Sequence, residues 1–163
     1  MHWDAIGALA QVLAAALAVA GVLQLYELQR GSKLSGFVTV IDILQEEQVR
    51  AARKLLVQLA EKPYADWTKE EKEQAELACR KFNAVGIMVR NKMIDPKLLL
   101  ADWSRAIVDT WEAAKPMTTD YRKQRGSDTW KKFEYLYDLA VKYRRKHKIS
   151  QSLIKRAKQS IHH

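Results

Sequence analysis

The sequence predicts an all-α fold, with one N-terminal transmembrane helix followed by a cytoplasmic helical bundle of four to five helices. Three observations predict it. An unbroken apolar run covers residues 12–23, only six Gly and three Pro interrupt the 163 residues, and apolar residues recur at helical rather than alternating spacing. We divide the chain into a transmembrane helix over residues 1–30, a helical bundle over residues 31–148, and a short basic C-terminal helix or tail over residues 149–163.

The first element is the predicted membrane span. No charged side chain lies between Asp4 and Glu27, and such a helix, at ~1.5 Å per residue, is long enough for a ~30 Å hydrocarbon core. No Lys or Arg precedes the run and no small-x-small cleavage site stands out, which favours a retained anchor over a signal peptide. Arg30 and Lys33 follow the run, so we expect the N-terminus outside and the remainder in the cytoplasm. The alternative is a buried helix of a soluble bundle, because two glutamines and many alanines make the run only mildly hydrophobic.

One face of the span is small and polar. At 100° per residue, the members of this face include Asp4, Gly7, Gln11, Ala14 and Ala18. Small residues let helices approach closely, and a Gln in hydrocarbon needs a partner or a water-filled lumen. With one span per chain the partner is another chain, so we predict a homo-oligomer, for which a tetramer is a working guess. Whether this face lines a pore or a dry seam stays open.

The first helix of the bundle is predicted over residues 35–61. Its apolar side chains share one face: Phe37, Val40, Ile41, Leu44, Ala52, Leu55, Leu56 and Leu59. Gly31, Ser32 and Gly36 predict a hinge between this helix and the span, and Pro63 ends it.

Two start signals define the next two helices. Residues 68–71 form a capping box, in which Thr68 and Glu71 satisfy each other's backbone amides, and the helix they open is expected to run to about Met93. Asp95 and the proline after it are an N-cap followed by proline at the first helical position. We expect that helix to stop near Pro116.

The last quarter of the chain is predicted to be helical and is strongly basic. Ser127 or Asp128 is expected to cap a helix, and a short final helix is predicted over about residues 151–160. Residues 121–163 hold 13 Lys and Arg against 3 Asp and Glu, whereas residues 30–120 hold 15 against 14. The basic excess of the protein therefore lies in this segment.

Three interpretations of the basic segment stay open. It is a solvated face that complements helix C-termini, a surface attracted to anionic membrane lipid, or a binding site for a phosphate-rich ligand such as an oligonucleotide, with tyrosines stacking on bases. A symmetric oligomer favours the ligand, because several such segments repel each other unless a polyanion neutralises them. The candidate phosphate-binding residues are Arg122, Lys123, Arg125, Arg144, Arg145 and Lys146.

Catalytic and metal-binding patterns are missing from the sequence. The four histidines lie near the termini, there is no Gly-rich phosphate loop, and no His-x-x-x-His or Cys-x-x-Cys spacing occurs. Cys79, the only cysteine, falls on the apolar face of its helix, as a core residue does. We therefore expect neither an enzyme nor a bound cofactor or metal.

Several positions resemble known bacterial proteins. The opening residues 3–8 and the span after them are similar to the start of small single-span membrane proteins, and the remainder is similar to a helical domain of unknown function. The positions that carry the second resemblance are Phe82, Asn83, Val85, Gly86, Ile87, Ile94, Asp95, Trp111, Pro116, Arg122, Arg125, Trp130 and Phe133. In plan the chain resembles the Hailong-type antiphage membrane effectors.

That resemblance implies an oligomeric ion channel in the bacterial inner membrane, gated by an oligonucleotide that a partner nucleotidyltransferase makes. The expected function is therefore that of a channel effector of antiphage defence, with membrane lipid, an oligonucleotide or nucleotide signal and other copies of the chain as partners. The alternative is a non-conducting, membrane-tethered adaptor that recruits nucleic acid or a protein to the inner leaflet. A channel needs the face of Asp4, Gly7 and Gln11 to line a continuous lumen, and an adaptor does not.

Overall fold

The computed structural model is all helical over the part of the chain that it describes. It describes the backbone of residues 2–161 and the side chains of residues 17–24, 31 and 33–148. These residues contain no strand. Five α-helices and one short 3-10 helix follow each other along the chain: α1 His2–Gln45, α2 Glu47–Leu59, the 3-10 helix Tyr64–Asp66, α3 Lys69–Arg90, α4 Pro96–Arg125 and α5 Lys131–Ile161. The predicted all-α class is confirmed.

Helix α1 is one continuous helix of 44 residues. The hinge predicted at Gly31, Ser32 and Gly36 is therefore wrong, because glycine permits a break but does not impose one. The single helix predicted over residues 35–61 is also wrong, since the chain turns at Glu46, which separates α1 from α2. The turn allows Val40 and Leu44 of α1 and Leu56 of α2 to be buried together in one core.

Helices α3 and α4 begin where the sequence predicts. Thr68 accepts a hydrogen bond from the backbone N–H of Glu71, whose carboxylate accepts one from the backbone N–H of Thr68. Asp95 Oδ1 accepts a hydrogen bond from the backbone N–H of Lys97, one residue after Pro96. The predicted inward face of α3 is confirmed as well, and its buried residues are Ala75, Ala78, Cys79, Phe82, Val85, Gly86 and Val89.

Helix α4 runs through Pro116 rather than stopping there. Pro116 lies inside the helix, which continues to Arg125. Proline in a helix interior removes one backbone hydrogen bond, and the cost is tolerated here because the following turns pack into the core, where Met117 and Thr118 are buried. Thr118 also donates a hydrogen bond to the carbonyl oxygen of Ala114, as threonines do inside helices.

The turn between α4 and α5 differs from the predicted cap. Neither Ser127 nor Asp128 directly precedes α5 as its N-cap, because α5 begins at Lys131. Instead, Asn83 of α3 accepts hydrogen bonds from the backbone N–H groups of Lys132 and Phe133, at 3.1 and 3.2 Å. A side chain from another helix therefore satisfies amides that the first turn of α5 leaves without partners. The short helix predicted over about residues 151–160 is a part of α5, which is continuous to Ile161.

The bundle has two ends, which we name by the turns they carry. The proximal end is formed by the α3–α4 turn, where Gly36 of α1 lies against Met93 and Ile94. The distal end carries the 3-10 helix and the α4–α5 turn, and Tyr64 donates a hydrogen bond there to Asp120 at 2.9 Å. The N-terminal part of α1 leaves the bundle at the proximal end.

The predicted membrane span lies mostly where side chains are not described. No helix among the described residues combines the length and the apolar character that a membrane crossing requires. Asp4, Gly7, Gln11 and Ala14 of the predicted pore or oligomer face lie outside the residues with described side chains.

Candidate anion-binding groove

A basic groove opens between α4 and the C-terminal half of α5. Its volume is about 590 Å³, and its lining residues are Ala101, Ser104, Tyr143, Arg144, Arg145, His147 and Lys148. We call it the α4–α5 groove. The side chains of Ala101 and Ser104 are small, so they leave space on the α4 side. The described residues that line it include three basic side chains, Arg144, Arg145 and Lys148, and no carboxylate, which makes the groove suited to an anion.

Aromatic packing between the two helices sets the position of the groove. The ring of Trp111 on α4 meets the rings of Phe133 and Tyr137 on α5, with centroids 4.9 and 5.9 Å apart. The helices are antiparallel, so residues two turns before Trp111 lie beside residues two turns after Tyr137. Ser104 and Arg144 are those residues, and both line the groove.

An aromatic pair forms one edge of the groove. The rings of Tyr143 and His147 are stacked, with centroids 4.0 Å apart and an interplanar angle of 23°. His147 Nδ1 lies 3.2 Å from the carbonyl oxygen of Tyr143, one helical turn earlier. His147 is exposed and Tyr143 is half-buried, and aromatic rings beside cations are features with which proteins bind single-stranded nucleic acids. The edge therefore adds a stacking surface to the charge.

Arg122 is engaged within the fold rather than open to a ligand. Its guanidinium donates to both carboxylate oxygens of Glu134, at 3.4 and 3.1 Å, and its Nε donates to the carbonyl oxygen of Thr129 at 3.1 Å. The hydrogen bonds from Arg122 lower the pKa of Glu134, and Lys131 adds to this effect. The ion pair of Arg122 and Glu134 therefore links the end of α4 to the start of α5 across the turn between them.

Arg125 is engaged in a similar way at the distal end. Its Nη1 donates to Glu76 of α3 at 2.8 Å, and its guanidinium carbon lies 4.1 Å from the centroid of the Tyr121 ring. The hydrogen bond to Glu76 raises the pKa of Arg125. Tyr121 donates to the other oxygen of Glu76 at 3.1 Å, and its pKa is raised, first by burial and then by that carboxylate.

The structure thus separates the six predicted phosphate-binding residues. It brings Arg144 and Arg145 together in the α4–α5 groove and places Arg122 and Arg125 in ion pairs at the distal end. Lys123 and Lys146 are exposed, and neither lines the groove. From Lys131 to Arg144, α5 rises by roughly 20 Å, so one chain does not present both clusters to one short ligand.

Five lining residues are not among the six predicted phosphate-binding residues: Ala101, Ser104, Tyr143, His147 and Lys148. Ala101 and Ser104 are small residues three apart on one face of α4, and nothing in the sequence indicates that α5 crosses this face. The i,i+4 spacing of Tyr143 and His147 is the sequence signal that the two rings meet on one face of α5.

Ala18 is the one residue of the predicted pore or oligomer face whose side chain is described, and it is exposed. Large apolar neighbours are exposed too, with exposed fractions of 60–69% for Leu17, Val19, Val22 and Leu23. Apolar residues of this size are seldom clustered on a surface unless lipid or another protein covers them.

Comparison with known protein families matches residues 13–140, more than three quarters of the chain, to the family described as domain of unknown function (DUF4760). No curated protein matches the chain, and no solved structure matches it. The matched range ends four residues before Arg144, so it includes the α4 side of the groove and stops short of the cations on α5.

Proposed function

The chain belongs to the DUF4760 family, and we propose that it is a membrane-anchored homo-oligomer that binds a phosphate-bearing ligand in the α4–α5 groove. We propose further that the oligomer is an inner-membrane ion channel of bacterial antiphage defence. Its ligand is an oligonucleotide made by a partner nucleotidyltransferase, and the ligand gates the channel.

Anchoring and assembly are supported by α1. The exposed apolar residues between Leu17 and Leu23 lie on a part of α1 that extends beyond the bundle, where no other described helix covers them. Insertion places these side chains in hydrocarbon, and association of the small face of several copies removes the remaining polar groups from lipid. The resemblance to single-span effectors supports the same arrangement.

Ligand binding is supported by one observation above all, the α4–α5 groove with Arg144, Arg145 and Lys148 in its lining. A guanidinium presents a planar fork of donors that matches the oxygens of a phosphate. The stacked rings of Tyr143 and His147 at its edge favour a ligand that carries bases over a simple inorganic anion. In a symmetric oligomer several such grooves hold successive parts of one oligonucleotide.

The ligand is tested by titrating labelled oligoadenylate DNA and RNA against the full chain in detergent. Replacing Arg144 and Arg145 by Ala should weaken binding about 100-fold, because a charge-assisted hydrogen bond is worth ~1.5 kcal/mol and each such loss is roughly tenfold. The log–log dependence of affinity on salt should become shallower by about 1.4, since each phosphate contact of a single strand contributes ~0.7.

The matched control replaces Arg50 and Arg80, two exposed arginines that do not line the groove, and should leave affinity within about twofold if the lost arginine contacts are local. Equal losses in the two double variants would show that the protein binds through its overall charge. No binding to either nucleic acid would contradict the proposed ligand.

Assembly is tested on α1. Ala18→Leu should weaken the oligomer because a bulky side chain prevents close approach of the small faces. Leu17→Ala, a change at the neighbouring exposed position that only reduces volume, should leave assembly intact. Crosslinking of the full chain in detergent followed by size separation gives the result, and a wild-type monomer would contradict the proposed homo-oligomer.

Conduction is tested by ion flux into liposomes that contain the full chain. If Gln11 lines the pore, Gln11→Leu should close it by dewetting while the protein stays inserted, and Asp4→Lys should shift selectivity from cations towards anions. Oligonucleotide binding together with an absence of flux from the wild type would instead support the non-conducting adaptor.

A further inference from the structure

A second basic groove lies at the proximal end of the bundle, and the ligand site proposed above does not use it. Its volume is about 440 Å³. It is lined by cations from three helices and the α3–α4 turn, together with one carboxylate and several apolar or aromatic side chains: Lys33, Val89, Arg90, Lys92, Ile94, Asp95, Pro96, Lys97 and Tyr135. We call it the proximal groove. It shares no lining residue with the α4–α5 groove.

Four cations meet one carboxylate in this groove. Lys33 comes from α1, Arg90 from the end of α3, Lys92 from the α3–α4 turn and Lys97 from the first turn of α4. The carboxylate of Asp95 is engaged as the N-cap of α4, since its Oδ1 accepts the backbone N–H of Lys97 at 2.9 Å. The groove therefore carries a net positive charge.

Lys92 occupies a backbone position that is usually given to glycine. Its φ is +58°. Its backbone N–H donates a hydrogen bond to the carbonyl oxygen of Val89, and the backbone N–H of Met93 donates one to the carbonyl oxygen of Met88. This is a Schellman motif with lysine at the left-handed position, where a side chain costs about 1 kcal/mol relative to glycine. Strain of this kind often marks a functional position, and here it holds a cation at the groove.

Exposed apolar side chains flank the cations. Met93 and Leu98 follow Lys92 and Lys97 directly in the chain and are 49% and 50% exposed, and Leu34 follows Lys33 with an exposed fraction of 61%. Alternation of lysine with exposed apolar residues is typical of surfaces that contact both the charged headgroups and the acyl boundary of a membrane.

The position along α1 agrees with such a contact. Gly36 lies against the α3–α4 turn, and Lys33 follows Glu27, the first charged residue after the uncharged stretch of α1, by six residues, or ~9 Å of helix. The headgroup layer extends roughly 5–8 Å beyond the hydrocarbon on each side. A lysine side chain reaches the remaining distance, so the proximal groove stands at the headgroup boundary.

We infer that the proximal groove binds the headgroup of an anionic phospholipid in the bilayer that α1 spans. This inference rests on the proposed membrane anchoring. The phosphate pairs with Lys92 and Lys97, Lys33 and Arg90 complete the charge, and Met93 and Leu98 flank the bound headgroup.

The test places an environment-sensitive fluorophore on Met93→Cys in the full chain, whose own Cys79 is buried. The chain is reconstituted in phosphatidylcholine vesicles with or without phosphatidylglycerol. We expect the fluorophore emission to shift to shorter wavelength only when phosphatidylglycerol is present. The same fluorophore on Val57→Cys should show no such shift; Val57 lies on α2 and is 41% exposed. Each lysine of the pair replaced by Gln should weaken the apparent affinity for phosphatidylglycerol roughly fivefold.

Two further variants separate lipid binding from stability. Lys92→Gly should raise the unfolding temperature and still weaken the response to phosphatidylglycerol, a combination that a purely structural lysine would not give. Lys69→Gln is the matched control, because Lys69 is a highly exposed lysine on α3 outside the groove, and should change neither reading. Displacement of the signal by free phosphate or by an oligonucleotide would overturn the lipid assignment.

Alkaline extraction of the same vesicles reports on anchoring independently. A chain that is extracted contradicts the proposed span. A chain that stays in the vesicles while the Met93 fluorophore has the same emission in both lipid mixtures overturns the headgroup site and leaves the span intact.

Discussion

Gly86 of α3 should tolerate no side chain, because α5 crosses it too closely. A Cβ added at this position would lie 2.6 Å from the carbonyl carbon of Lys132 and closer still to its oxygen. The obstacle is backbone, which has no rotamer to change. Gly86→Ala therefore requires α5 to move away from α3 by roughly 1 Å to reach an ordinary contact distance.

The cost of that movement follows from what the two helices share. Phe82 and Phe133 stack across this interface with centroids 4.9 Å apart, and Asn83 accepts its two hydrogen bonds beside them. A gap of 0.5–1 Å forfeits about a quarter to a half of the dispersion energy, and overpacking of a core costs about 1–3 kcal/mol or more. Because the obstacle is backbone, the upper end of that range applies, and subtracting the ~1 kcal/mol that Ala gains over Gly in a helix leaves an expected net loss of about 2 kcal/mol.

The assay is unfolding of the full chain in detergent, followed by circular dichroism on heating. A loss of about 2 kcal/mol lowers the unfolding temperature by about 4–8 °C for a chain of this length. Gly31→Ala is the matched control: its added Cβ meets nothing within 4 Å, so helix propensity should make it neutral or slightly stabilising. If Gly86→Ala unfolds at the same temperature as Gly31→Ala, the backbone of α5 does not cross Gly86 at the close distance on which the prediction depends.

Three further predictions concern single side chains. Asn83→Ala should destabilise the chain by about 1–3 kcal/mol in urea unfolding, because two amides of α5 lose their acceptor, whereas Asn83→Asp should retain most of the stability since a carboxylate also accepts. Because Arg122 lowers the pKa of Glu134, this carboxylate stabilises the fold above its ordinary pKa of about 4.3, and the stabilisation is lost as pH falls through the lowered pKa. The difference in unfolding free energy between wild type and Glu134→Gln should therefore become smaller in acid. A difference that does not change with pH would contradict the ion pair of Arg122 and Glu134. Burial raises the pKa of the Cys79 thiol, so a thiol reagent should label native protein far more slowly than urea-unfolded protein, and equal rates would mean that the core around α3 opens readily.

Local signals in the sequence predict the helix class, the starts of α3 and α4 and the buried face of α3. The capping box at Thr68 and the N-cap at Asp95 are complete within a few residues, so a neighbouring helix is not needed to interpret them. The sequence does not predict the continuation of α4 through Pro116 or the turn between α1 and α2, because packing against other helices decides whether a helix ends at a proline or continues through a run of periodic residues.

The candidate site was predictable in composition and not in arrangement. The concentration of Lys and Arg after residue 120 is visible in the sequence, and so is the preference for Arg144 and Arg145. The partners of Arg122 and Arg125 are not visible, since Glu134 and Glu76 lie 12 and 49 residues away along the chain. Whether a basic cluster is available to a ligand therefore depends on which carboxylates the fold places beside it.

The continuity of α1 has a mechanical consequence. The helix packs against the α3–α4 turn at Gly36 and is unbroken from there towards its N-terminus. It can therefore tilt as one rigid rod about its contact with the α3–α4 turn, as a lever does about its fulcrum. Leu17 lies 19 residues from that fulcrum, an arm of ~29 Å, so a tilt of about 10° at Gly36 displaces Leu17 by about 5 Å. Small rearrangements in the bundle are thereby magnified at the far end of the arm.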